Sequence, residues 1–155
     1  MGEGEPYLLP APGLVASKAA AVLEQDPHIR ETTALFDRIS VALLGIGSLE
    51  PSSWLAESGN NFSAEEMARL GTSGAVGNIC LRFYNAAGEQ VNDRSSNRVF
   101  GLDLERLKRI PTRLGIACGQ RKREAILGAV RGRWINVLVT DQFTAESLAM
   151  DQHLH

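Results

Sequence analysis

Apolar and polar positions along the chain fall into alternating helical and extended runs. SKAAAVLEQD, from Ser17, carries helical spacing and is expected to close at Asp26-Pro27. HIRETTALFDRI places Ile29, Thr33, Phe36 and Ile39 near one face of a second helix. VALLGIG, Val41 to Gly47, is a continuous apolar run, the pattern of a parallel strand buried on both faces. Ser63-Ala64-Glu65-Glu66 has a capping-box sequence and opens a helix expected to stop at Gly71. GAVGNICLRFYN, Gly74 to Asn85, is strand-like; Ala87-Gly88 turns, and Asp103 caps a short helix ended by Pro111. The chain then reads TRLGIACG as strand, QRKREAILGAVRG as helix with Ile126, Leu127 and Val130 inward, INVLVTD as strand and TAESLAM as helix. Strand, helix and strand in that order make a βαβ unit with a right-handed crossover. The fold class is therefore α/β with a mostly parallel sheet. Only three or four strands are legible, and the chain opens without one, so the sheet is expected to be incomplete at the N-terminus.

Length and composition narrow the class. A chain of 155 residues, 44% hydrophobic and 22% charged, is one ordinary globular domain. No apolar run reaches the roughly 18 residues of a membrane helix. Glu3 and Glu5 stand where an export signal carries positive charge, so a cytoplasmic protein without membrane contact is expected. A net charge of −2 leaves no basic excess to grip a nucleic-acid backbone. Cys80 and Cys118 lack the paired spacing of a zinc site and read as two buried, reduced thiols. No metal or cofactor is expected.

Ligands of open α/β sheets bind at the carboxyl ends of the strands. Three ends are readable: Gly45-Ile46-Gly47-Ser48, Ala117-Cys118-Gly119-Gln120, and Thr140-Asp141. At the second, Lys122 stands in the first turn of a helix, where a cation opposes the helix dipole unless an anion sits above it. Gly45 and Gly47 let backbone approach a ligand, or serve as plain turn residues. Asn78, after Gly74-Ala75-Val76-Gly77, can donate to and accept from sugar hydroxyls. Arg82 alternates with Asn78 and Cys80 and reads equally as an ordinary surface arginine. Asp141 reads as the cap of the last helix. His28 reads as a surface residue, and His153 and His155 fall in the tail. No carboxylate pair or nucleophile–base arrangement is suggested, which counts against catalysis.

Four segments resemble one family. LPAPGLVASKAAAVLEQDPHIRETTALFDRISVALLGIGSL, GAVGNICLRFYNAAGEQV, ACGQRKREAILGAVRG and NVLVTDQFTA are similar to the effector-binding domain of SorC-type, DeoR-like bacterial transcriptional regulators. The resemblance runs from about Leu9 to Leu148, with residues 1–8 and 151–155 as flanking tails. It implies a Rossmann-like three-layer sandwich shared with glucosamine-phosphate isomerases, ribose-phosphate isomerases and CoA transferases. It also implies a domain that binds a phosphorylated sugar, assembles as a homo-oligomer and reaches operator DNA only through a separate N-terminal helix-turn-helix. In that pattern Lys122, after Gly119, contacts phosphate, Gly45 and Gly47 line the cavity, and Asn78 occupies a commonly acidic position facing the sugar. Leu81 stands where glycine is common and Asn85 where aspartate is common. The family's domain has a first strand and a phosphate loop before the segment matching Leu9. An isomerase-like enzyme, or a fragment with only a structural and oligomerising role, are the alternative expectations.

Overall fold

The computed structural model describes residues 4–16, 18–49, 62–92 and 94–150. The expected helix start at Ser17 and the histidines at 153 and 155 lie outside the described residues. Six helices are described: α1 (Ala19–Leu23), α2 (Pro27–Ala34), α3 (Ala64–Thr72), α4 (Leu104–Arg109), α5 (Arg123–Arg131) and α6 (Gln142–Ala149). The strands are β1 (Val41–Gly45), β2 (Gly47–Ser48), β3 (Ala75–Ile79), β4 (Arg82–Asn85), β5 (Thr112–Ile116) and β6 (Val137–Val139).

The strands form two sheets. β1, β5 and β6 are parallel in the order β1-β5-β6, and β2, β3 and β4 are antiparallel in chain order. The α/β class with a parallel sheet and a β5-α5-β6 unit is as the sequence predicts. The antiparallel sheet is the addition. GAVGNICLRFYN folds into a hairpin around Cys80-Leu81, both at positive φ (51° and 61°), which no glycine or asparagine announces.

Local signals explain most boundaries. Asp26 does not merely close α1; its carboxylate accepts the N–H groups of His28 and Ile29 and so opens α2, with Pro27 at the first helical position. The Ser63–Glu66 capping box forms in both directions. Its helix passes Gly71 and runs to Thr72. The segment before α5 tightens into a 3₁₀ turn at Gln120–Lys122.

The main core gathers the inner face of the parallel sheet and the helices beneath it. Leu44, Ile46 and Ala117 meet Leu107, Ile126 and Leu127 there, all 6% exposed or less. β3 and β4 close on α5 so tightly that a Cβ on Gly77 would lie 2.6 Å from that of Ala125. The Tyr84 phenol donates to the Ala125 carbonyl at 2.9 Å, and burial pushes its pKa up.

Three sequence expectations are corrected. The Val41–Gly47 run is not buried on both faces: Val41, Leu43, Ile116, Val137 and Val139 are 41–71% exposed on the side away from α5. An apolar run prepares a strand for two covering layers, and the described residues supply one. Val130 faces outward, its inward place taken by Gly128 and Ala129. Cys80 and Cys118 are exposed, not buried. Cys80 occupies the hairpin tip, and Cys118 follows β5 on the uncovered side of the sheet.

Candidate functional site

The strand ends converge. β1 ends at Gly45 beside Ile116, the last residue of β5, which pairs in turn with Val139, the last residue of β6. The Gly45-Ile46-Gly47, Ala117-Cys118-Gly119 and Thr140-Asp141 segments therefore leave the sheet along one edge. Ile46 is the joint between the two sheets, since β1 ends at Gly45 and β2 begins at Gly47.

Lys122 reaches this joint. Its ammonium donates to the Ile46 carbonyl at 2.9 Å. It is half-buried at the N-cap of α5, and no carboxylate among the described residues pairs with it. A cation there faces the positive end of the helix dipole with a neutral carbonyl as its one partner. The electrostatics of the position favour an incoming anion.

Asn78 stands next to the same joint. Gly47 is its cross-strand partner, and a Cβ on Gly47 would lie 2.5 Å from Asn78 Nδ2. Only glycine leaves the amide where it is. That amide makes no hydrogen bond among the described residues, so its donor and acceptor are available to a ligand. Gly45 differs: a side chain there would meet open space, and it lies on the uncovered face.

Gly119 plays another part than expected. Its φ of 95° turns the chain into the 3₁₀ turn, and its N–H donates inward to Asp141 Oδ2 (3.1 Å) and Thr144 Oγ1 (2.9 Å). That N–H is taken, so the amides left pointing outward belong to Gln120 and Arg121. Asp141 caps α6 as predicted, accepting from the Thr144 N–H at 3.0 Å and from its hydroxyl at 2.5 Å. These bonds, the hydroxyl's foremost, hold the Asp141 carboxyl below the usual carboxylate range. Thr144 and the Ile46 carbonyl carry no sequence signal, because both act by meeting residues far along the chain. Thr140 does have one, as the residue ending an apolar strand; its Oγ1 is buried without a partner at the same edge.

Four of the five sequence candidates (Gly45, Gly47, Asn78, Lys122) thus meet around Ile46, and Gly119 anchors the turn carrying Lys122. No cluster of three or more metal-ligating side chains occurs among the described residues, and no described helix is long and apolar enough to cross a membrane.

Comparison with known proteins agrees with this arrangement. A family model described as "Putative sugar-binding domain" matches residues 2–149. The sorbitol operon regulator of Klebsiella pneumoniae is 36% identical over 127 residues, covering 80% of this chain and 39% of that protein. The transcriptional regulator LsrR of Escherichia coli K12 is 38% identical over 145 residues, covering 91% of this chain and 45% of that protein. Among solved structures, full-length SorC from K. pneumoniae superposes with a TM-score of 0.80 at 34% identity, over 88% of this chain and 44% of that one. A DeoR family regulator from Listeria monocytogenes gives 0.83 at 31%, over 90% and 57%. The chain spans less than half the length of these curated relatives. With a match over nearly its whole length and a shared Rossmann-like α/β fold, this chain belongs to the sugar-binding domain family of SorC- and DeoR-type transcriptional regulators.

Proposed function

We propose that this chain is the effector-sensing part of a bacterial transcriptional regulator and binds a phosphorylated sugar at the strand ends around Ile46. The observation that carries the reading is Lys122, a half-buried ammonium without a carboxylate partner, held beside the unpaired amide of Asn78. The lysine takes the phosphate, with the free N–H groups of Gln120 and Arg121 beside it. Asn78 and the unpartnered Thr140 hydroxyl take sugar hydroxyls. Gly47 keeps Asn78 in place.

The same geometry supports a sensor over an isomerase-like enzyme. Asp141 is the carboxylate at the strand ends, and its bonds to Thr144 and Gly119 hold it as a settled anion. A general base works best with a pKa near the working pH, and Asp141 is displaced the other way. The net charge of −2 supports placing operator contact in another part of the regulator. Ligand binding would then act by population shift, favouring one quaternary arrangement of a homo-oligomer and so altering operator affinity.

The test is calorimetric titration with a panel of sugar phosphates and their unphosphorylated counterparts. One phosphate ester is expected to bind while its parent sugar does not. Lys122→Ala should weaken that binding more than tenfold, since a charge-assisted contact contributes about 1.5–3 kcal/mol. Equal affinity in the variant removes Lys122 from the site.

A further inference from the structure

A cavity of about 500 Å³ lies away from the strand ends, between the α1–α2 segment and the tip of the β3–β4 hairpin. Arg82, Arg106, Glu24 and Asn97 line it with Phe36 and Phe100. Its size falls in the range of about 300–1,000 Å³ that small-molecule sites occupy.

Arg82 is its unusual feature. The guanidinium is half-buried, and burial presses its pKa down. It donates to the carbonyls of Leu102 (Nε, 3.3 Å) and Val99 (Nη2, 3.4 Å), both longer than an ordinary N–H···O bond. Nη1 has no partner, and no carboxylate among the described residues forms an ion pair with this side chain. A desolvated cation with two weak neutral contacts is poorly compensated. The backbone that presents it is strained as well, since Cys80 and Leu81 both hold positive φ immediately before Arg82.

The other charged groups sort themselves. Asp103 is occupied as the cap of α4, accepting the Arg106 N–H at 2.8 Å. Arg106 Nε holds only loose pairs, 3.6 Å to Asp103 and 3.9 Å to Asp37. Glu24 and Asn97 are exposed at the rim without partners. Two under-satisfied arginines, a free acceptor, a free amide and two aromatic rings make a site for a small molecule with an oxyanion at one end and hydroxyl groups along its length.

We propose that this cavity is a second binding site, separate from the strand-end site, for a small hydroxylated organic acid whose carboxylate meets the Arg82 fork. Planar bidentate pairing suits a guanidinium and a carboxylate. Glu24 and Asn97 bind the hydroxyls, and Phe36 and Phe100 pack against the carbon chain.

The experiment is an NMR titration of the whole described chain with gluconate, and with sorbitol as a polyol of the same length without the carboxylate. Gluconate is expected to shift Arg82 Nε and the Val99 and Phe100 amides; sorbitol is expected to leave them in place. Arg82→Lys keeps the charge but loses the fork and should weaken gluconate more than tenfold, whereas Lys122→Ala should bind it as the parent does. Resonances of the α5 core check that each variant is folded. No shift at Val99 and Phe100 up to millimolar gluconate overturns the proposal. Shifts confined to Gly119 and Lys122, equal shifts with sorbitol, or undiminished binding in Arg82→Lys also overturn it. Because the site shares no residue with the Ile46 cluster, failure here leaves the strand-end reading standing, and the reverse holds.

Discussion

Gly47 and Asn78 act as a pair, and the pair makes a prediction with two readouts. A methyl group on Gly47 would displace the Asn78 amide, which is the free end of a flexible side chain and can swing away cheaply. Gly47→Ala should therefore change unfolding free energy by less than about 1 kcal/mol, the scale of a mild surface substitution. Sugar-phosphate affinity should nonetheless fall several-fold in calorimetry, because the amide has left its position. A large loss of stability would show that Gly47 serves the fold and not the ligand. Lys122, Asn78 and Gly47 were legible in sequence because each is an uncommon residue for its place: a cation in a first helical turn, a polar group after two glycines, a glycine ending an apolar run. Arg82 was not, since an arginine alternating along a strand is indistinguishable from a solvated one until its surroundings are known. The bond from the Gly119 N–H to Asp141 was equally hidden, as 22 residues separate donor and acceptor.

Among elements, the β3–β4 hairpin departs furthest from local preference. A two-residue turn with both residues at positive φ is normally Asn-Gly, and a residue with a Cβ loses roughly 1–2 kcal/mol in that conformation. Cys80→Asn combined with Leu81→Gly should raise the thermal midpoint by a few degrees, less whatever Leu81 contributes by packing against Gly13. A lower midpoint would mean that this packing outweighs the strain. The hairpin also shows why the middle of the chain resisted reading: its strands were visible as residue types, but their turn carried no punctuation. By contrast β5, α5 and β6 were predicted nearly to their ends, because Gly119, Gly132 and an uninterrupted apolar period mark them. Even there the first helical turn proved to be 3₁₀, a distinction that side-chain spacing does not encode.

At the scale of the molecule, the uncovered sheet face governs behaviour in solution. Leu43, Leu114 and Val137 form one row across it and Ile116 and Val139 another beside Gly45, with the five side chains other than partly exposed Leu114 and Gly45 named above as exposed. Contiguous apolar patches of this kind mark surfaces meant to be covered. With a net charge of only −2 to oppose contact, the chain should associate as its concentration rises in sedimentation velocity runs. Leu43→Lys with Val139→Lys should return it to monomer while leaving the inner core intact. A chain that stays monomeric throughout would show that this face tolerates water. The apolar run at Val41–Gly47 foretold a strand, but whether both of its faces are covered depends on neighbours a single segment cannot describe.

The joint at Ile46 has a mechanical consequence. One residue separates the parallel sheet from the antiparallel one, and its carbonyl is the atom that Lys122 holds. A ligand that draws the ammonium toward a phosphate slackens a tether fixed at a pivot, so both sheets are free to rotate against each other at once. The message from an occupied pocket then has almost no distance to travel: the pocket is built on the hinge it would turn.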